Sequence, residues 1–183
     1  MRAEQPVQQE ALHRTGVLAE ERCGHEPRVP GHGAFRVLIT MLRGGTASRG
    51  ARSAVRRALA GAGVTADEIS DTEVIVAELA ANSEKHSRGP YELRIHCLSG
   101  IPMWCEMVDG GHELGEIPGI LARLQVDAEA GLEPFAENGR GLLLAHMLSN
   151  GRCYAYPTTM SAGGAPGKAV AFALPAAPCE GGG

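Results

Sequence analysis

The chain has 183 residues, a formal net charge of −4, and charged side chains at 21% of positions. That length suits one domain with tails, and the mild acidity gives no global electrostatic basis for holding nucleic acid. No run approaches the ~18 apolar residues needed to cross a bilayer, and Met1–Glu10 lacks the apolar core of a signal segment. The expectation is a cytoplasmic protein with neither a membrane nor a direct nucleic-acid partner. Cys23, Cys97, Cys105, Cys153 and Cys179 show no CxxC spacing, so buried thiols are expected in preference to a zinc site.

Residues 1–33 are rich in charge, Gly, Pro and His, and read as a flexible N-terminal extension with a weakly helical stretch over Glu4–Arg22. Ala34–Leu42 is apolar with β-branched members and predicts a strand, broken at Gly44–Gly45. Ala47–Ala62 predicts a helix with Ala51, Val55, Ala58, Leu59 and Ala62 on one face, closed by Gly61 and Gly63. Its basic residues Arg49, Arg52, Arg56 and Arg57 fit one solvated face better than a nucleic-acid contact. Thr65-Ala-Asp-Glu68 has the spacing of a capping box, so a helix is predicted from Ala66 to about His86, stopped by Gly89–Pro90.

Tyr91–Leu98 and Ile101–Val108 read as a hairpin about Ser99–Gly100. Residues 109–138 are mixed and glycine-bearing, with a short helix expected within Ile117–Ala130. Gly141–Leu148 is an apolar helix, and Cys153–Tyr156 and Ala169–Leu174 are strands joined by a Gly-rich loop. One domain over 34–175 follows, with a loose tail over 176–183. Helices cluster apart from antiparallel hairpins, which predicts an α+β two-layer sandwich of helices and a mixed, mainly antiparallel sheet.

Three segments carry chemistry. At about 100° per residue, Glu78, Asn82 and His86 stack along one edge of the helix over 66–86, at the margin of its apolar arc of Ile69, Val76, Leu79 and Ala80. Isolated polar residues there are usually satisfied structurally; three in register also suit a shared site. Val108-Asp109-Gly110-Gly111 ends a predicted strand. Asp-Gly is a common turn pair, and a strand-end carboxylate beside glycines can equally accept from a ligand amino group. In Asn138-Gly139-Arg140-Gly141-Leu142, glycines lead into an apolar helix. That arrangement caps a core helix, or offers unpaired amides and a positive dipole end to phosphate.

Taken in order, these segments resemble the boxes of the GHKL ATPases, a group that includes type II topoisomerases and sensor histidine kinases. Glu78-Leu-Ala-Ala-Asn82-Ser-Glu-Lys-His86 resembles the N box, Asp109-Gly-Gly111 the first glycine box, and Gly139-Arg140-Gly141-Leu142 the second. The small size and the Gly139–Leu144 wording look most like bacterial anti-sigma-factor serine/threonine kinases, over about residues 35–175. The resemblance implies a histidine-kinase-like ATPase fold, with ATP and Mg²⁺ as cofactors. It implies Glu78 as general base, Asn82 as Mg²⁺ ligand and Asp109 as acceptor for the adenine amino group. Gly111 would admit the base, and Gly139 and Gly141, with Arg140 and Leu142 in the same box, would meet the phosphates. Residues 112–138 would form a mobile lid; His86 has no assigned role. Implied partners are an anti-anti-sigma protein with a STAS domain, phosphorylated on serine, and a sigma factor; two copies of the chain could also pair.

Two departures from the family pattern stand out. Glu113 replaces the last glycine of the first glycine box, and the last strand reads Gly167-Lys168-Ala169 where the family usually has Gly-Lys-Thr. If that threonine supports Asp109, its loss removes about 1 kcal/mol of hydrogen bonding. Retention of Glu78 and Asn82 favours a kinase in transcription regulation. Ala169 and the long extension leave room for a binding module with little or no kinase activity, and chance motifs in an unrelated α+β domain are the third reading.

Overall fold

The computed structural model describes residues 34–130 and 140–175. Strand β1 (Phe35–Leu42) leads into helices α1 (Ala47–Ala60) and α2 (Ala66–His86). Small residues let α1 lie close to α2: Ala47, Ala51, Ala54 and Val55 are buried on its inner face, and Leu59 closes that face. Arg49, Arg52, Arg56 and Arg57 are exposed, as their spacing predicted, and Arg56 pairs with Glu73 of α2. The capping box at the start of α2 forms reciprocally. Thr65 Oγ1 accepts from Glu68 N, and Thr65 N donates to Glu68 Oε2.

The hairpin β2 (Tyr91–Leu98) and β3 (Ile101–Asp109) follows, then α3 (Ile117–Glu129), α4 (Arg140–Leu148), β4 (Cys153–Thr159) and β5 (Pro166–Ala173). The five strands order as β1-β2-β3-β5-β4. Every neighbouring pair is antiparallel, so the described sheet is wholly antiparallel where a mixed one was expected. The two hairpins and the return through α1 and α2 leave no parallel neighbours.

Strand alternation divides the sheet into two faces. Leu93, Ile95, Cys97, Cys105, Met107 and Phe172 join the helices in the main core, giving the α+β two-layer sandwich that the order of elements predicted. The opposite face carries Glu92, Arg94, His96 and Glu106, with a small separate cluster of Val108, Met160 and Ala169. Phe35, Val37, Ile39 and Met41 of edge strand β1 are exposed.

Two strand limits differ from expectation. β4 runs on to Thr159 through Pro157, and β5 begins at Pro166. β4 is an edge strand in the described sheet, where the ladder donor missing at Pro157 is tolerated. The first helix ends at Ala60, with Gly61 as its C-cap, two residues short of its predicted end.

Cys97, Cys105 and Cys153 are buried free thiols. Burial raises all three pKa values; that of Cys153 is pushed up to about 12, so these sulfurs are poor nucleophiles. No described helix is long and apolar enough to cross a membrane. The predicted extension over 1–33 and tail over 176–183 lie outside the described residues.

Candidate functional site

Helix α2 is the rail on which the site is assembled. Its polar contacts toward α1 are made at Glu73, Ala77 and Glu84: Glu73 pairs with Arg56, Ala77 O accepts from Ser48 Oγ, and Glu84 Oε1 accepts from Ala47 N at 3.2 Å. Glu78 and Asn82 lie on a different edge and are half-buried. Among the described residues neither side chain takes part in these bonds.

The start of α4 packs on that edge. A Cβ on Gly141 would lie 2.7 Å from Asn82 Nδ2, closer than real Cβ contacts allow, and 3.0 Å from Glu78 Cβ, tighter than most. The glycine therefore lets the first turn of α4 settle against the Asn82 amide and the Glu78 backbone and Cβ of α2. Two segments some sixty residues apart in sequence are thus brought together in the way the sequence pattern implied. Arg140 is exposed at the helix start. Leu142 differs from expectation: its side chain is buried in the core, so only its backbone could reach a ligand. Gly139 lies outside the described residues.

The third segment reaches the C-terminal end of α2. Gly110 comes against the backbone at the helix end, where a Cβ would lie 3.1 Å from Arg88 O. Gly111 is enclosed by side chains: a Cβ there would overlap Lys168 Nζ and come within 3.0 Å of both Asp109 Oδ1 and Ser87 Oγ. Asn82 and Ser87 are separated by about 7.5 Å of helix rise. One helix therefore carries a carboxylate–amide pair beside a helix N-terminus, and an aspartate cluster one and a half turns further on.

Asp109 is 3% exposed and is already engaged. Its Oδ1 accepts from Lys168 Nζ at 2.7 Å and from Gly111 N at 2.9 Å. The register explains the partner. Asp109 pairs with Lys168 across β3 and β5, so both side chains share the helix-covered face, whereas Ala169 pairs with Val108 on the other face. The expectation that position 169 supports Asp109 is corrected by this alternation: the supporting position is 168. Ala169 is fully buried beside Val108 and Met160. Lys168 was the site residue that motif reading missed. The signal was present in the two-residue period of the last strand, once Asp109 is taken as a helix-face residue.

The lid implied over 112–138 includes α3. Within it, α3 docks on the main core through Leu121 and Leu124, with Ile117 and Ile120 packed behind them. Residues 131–139 lie outside the described set. His86, on the same edge as Asn82, is exposed.

The polar groups fit the implied cofactors unequally. Glu78 and Asn82 supply hard oxygen donors beside backbone amides, a set suited to Mg²⁺ that keeps waters and phosphates in its shell. The Asp109 end presents an ion pair in place of a lone acceptor. Among the described residues no cluster of three His, Cys, Asp or Glu could hold a metal unaided. Two surface depressions, of about 270 and 430 Å³, lie elsewhere. One is beside Glu68, Thr72 and Arg152, and the other is between α3 and α4 at Leu124 and Met147.

The opposite sheet face holds a second polar cluster. Arg94 pairs with Glu92 at 2.7 Å and approaches Glu106 at 3.7 Å, and Tyr156 donates to Glu106 at 2.7 Å. His96 Nε2 lies 2.7 Å from Glu106 Oε1 but is too poorly aligned to count as hydrogen-bonded. Burial opposes ionisation of Glu106, yet His96, Tyr156 and Arg94 together hold its carboxyl below the usual range. Glu92, likewise buried, is held low by Ser161 and Arg94. These carboxylates are satisfied within the fold and line neither depression.

No protein-family model matches the chain, and no curated protein matches it.

Proposed function

We propose that this chain is an ATP-binding regulator of the anti-sigma-factor kinase type, which phosphorylates a serine on a STAS-domain anti-anti-sigma partner and holds a sigma factor when that partner is absent. The observation that carries this reading is the seating of Gly141 against Glu78 and Asn82, with the Asp109 cluster about one and a half turns further along at the C-terminal end of the same helix. When bound, Mg²⁺·ATP supplies the phosphoryl group and neutralises charge on it. Asn82 offers its amide oxygen to the metal. The backbone N–H groups at the start of α4 face the phosphates, favoured by the helix dipole. Glu78 orients the partner's serine hydroxyl and accepts its proton as the new O–P bond forms and ADP departs.

The test is calorimetric titration with Mg²⁺·ATP, followed by transfer of labelled phosphate to a STAS-domain partner. Asn82→Ala is expected to weaken ATP at least tenfold. Glu78→Ala is expected to keep affinity within about threefold while transfer falls roughly 100-fold. Absence of ATP and ADP binding up to millimolar concentrations in the wild type refutes the reading.

A second reading, a binding module with little turnover, is favoured by one observation: Asp109 is already paired with Lys168. Wild-type ATP affinity without any transfer to the partner decides for it.

A further inference from the structure

The site reading above leaves Lys168 unused, and this inference rests on that reading. Lys168 and Asp109 have side chains only 10% and 5% exposed. Burying either charge alone is costly, whereas the pair has no net charge and a strong local dipole. Asp109 Oδ1 is saturated by Lys168 Nζ and Gly111 N. No described residue donates to Asp109 Oδ2. The lysine ammonium has three N–H donors, and among the described residues one is used, on Asp109. A free acceptor and free donors therefore stand side by side at the end of α2.

We infer that Lys168 is a positioning and base-selecting residue for the site. Its ammonium fixes the Asp109 carboxylate so that Oδ2 faces outward as an acceptor, and it offers a second donor next to that acceptor. The ligand edge that complements this order has an amino donor beside a ring-nitrogen acceptor, which is the edge of a 6-aminopurine nucleotide. A 6-oxopurine presents an acceptor beside an N–H donor and meets the pair in reversed order. A hydroxyl at the same point would place no charge beside the carboxylate and would select less sharply.

The experiment measures ATP and ITP affinities for the full chain, for Lys168→Met and for Lys168→Arg, with a thermal melt of each. The wild type is expected to prefer ATP by roughly tenfold or more, since a site built for hydrogen bonds discriminates strongly against a mispaired ligand. Lys168→Met is expected to weaken ATP about tenfold and to bring the ATP:ITP ratio within about twofold. Lys168→Arg restores most of the ratio. If Lys168→Met does not fold, Lys168→Gln replaces it and is expected to give an intermediate ratio. An unchanged ratio in a folded Met or Gln variant makes Lys168 purely structural and overturns the inference while the nucleotide reading stands. Absence of nucleotide binding in the wild type removes the nucleotide reading itself, and this assignment with it.

Discussion

At one end of the candidate site, Gly141 brings backbone close to Glu78 and Asn82, and their polar atoms stay clear of the bonds that tie α2 to α1. At the other end, Asp109 is enclosed by Lys168, Gly111 and Ser87, with one oxygen fully used. Both ends are written with glycine, but for different reasons. Gly141 makes room for a helix to dock, while Gly111 makes room for a lysine. The comparison teaches that a glycine-bearing segment can be satisfied within the fold, here by an ion pair and a backbone amide. It also predicts that the two ends respond differently to substitution.

The largest effect is expected at the enclosed end. Asp109→Ala strands the buried Lys168 ammonium and should cost about 3–5 kcal/mol in urea unfolding. The double variant Asp109→Leu with Lys168→Met should recover most of that loss, because no charge then stays buried alone. Equal losses in single and double variants would mean that the pair is not the source of the difference. Next comes Gly167→Ala, where a Cβ would sit 2.6 Å from the Asp109 carbonyl oxygen. That atom is backbone and cannot swing aside, so about 2–3 kcal/mol is expected.

Gly141→Ala should be milder in stability, about 1–2 kcal/mol, because the Asn82 amide can rotate away. Its effect on nucleotide affinity should exceed that of Gly167→Ala, and the reverse order would break the contrast between the ends. The smallest effect is in acid. Glu92 and Glu106 are held below the ordinary carboxylate value of 4.5. Their stabilisation is fully present above that value and is lost as pH falls through the lower folded-state values. Glu106→Gln should flatten the acid limb of a stability–pH profile without moving nucleotide affinity, which would keep this cluster separate from the site.

Much of the fold was legible because its signals are local. The Thr65–Glu68 box, the Ser99–Gly100 turn and the apolar arc of α2 each mark an element on their own. What was not legible depended on neighbours. The run of β4 past Tyr156 to Thr159 depends on its place at the edge of the described sheet, where Pro157 is tolerated. That α3, inside the glycine-bearing stretch after Asp109, inserts Leu121 and Leu124 into the core was not written locally either. At the site, the sequence order of the boxes anticipated the meeting of Glu78, Asn82 and Gly141. It misassigned the support of Asp109 because residues 168 and 169 are adjacent in sequence but face opposite sides of the sheet.

The same alternation gives the ion pair a role in folding. Strands β3 and β5 have alanine, valine and methionine at several of their paired positions, and such small apolar partners distinguish one alignment from the next only weakly. A slip of one residue would turn Lys168 into the cluster of Val108 and Met160 and leave Asp109 facing a methyl group, with two charges buried apart. The pair is thus a registration mark that tells the sheet where to align. A substitution that loosens Asp109 from Lys168 also erases that mark, so the ion pair and the strand alignment are constrained to change together.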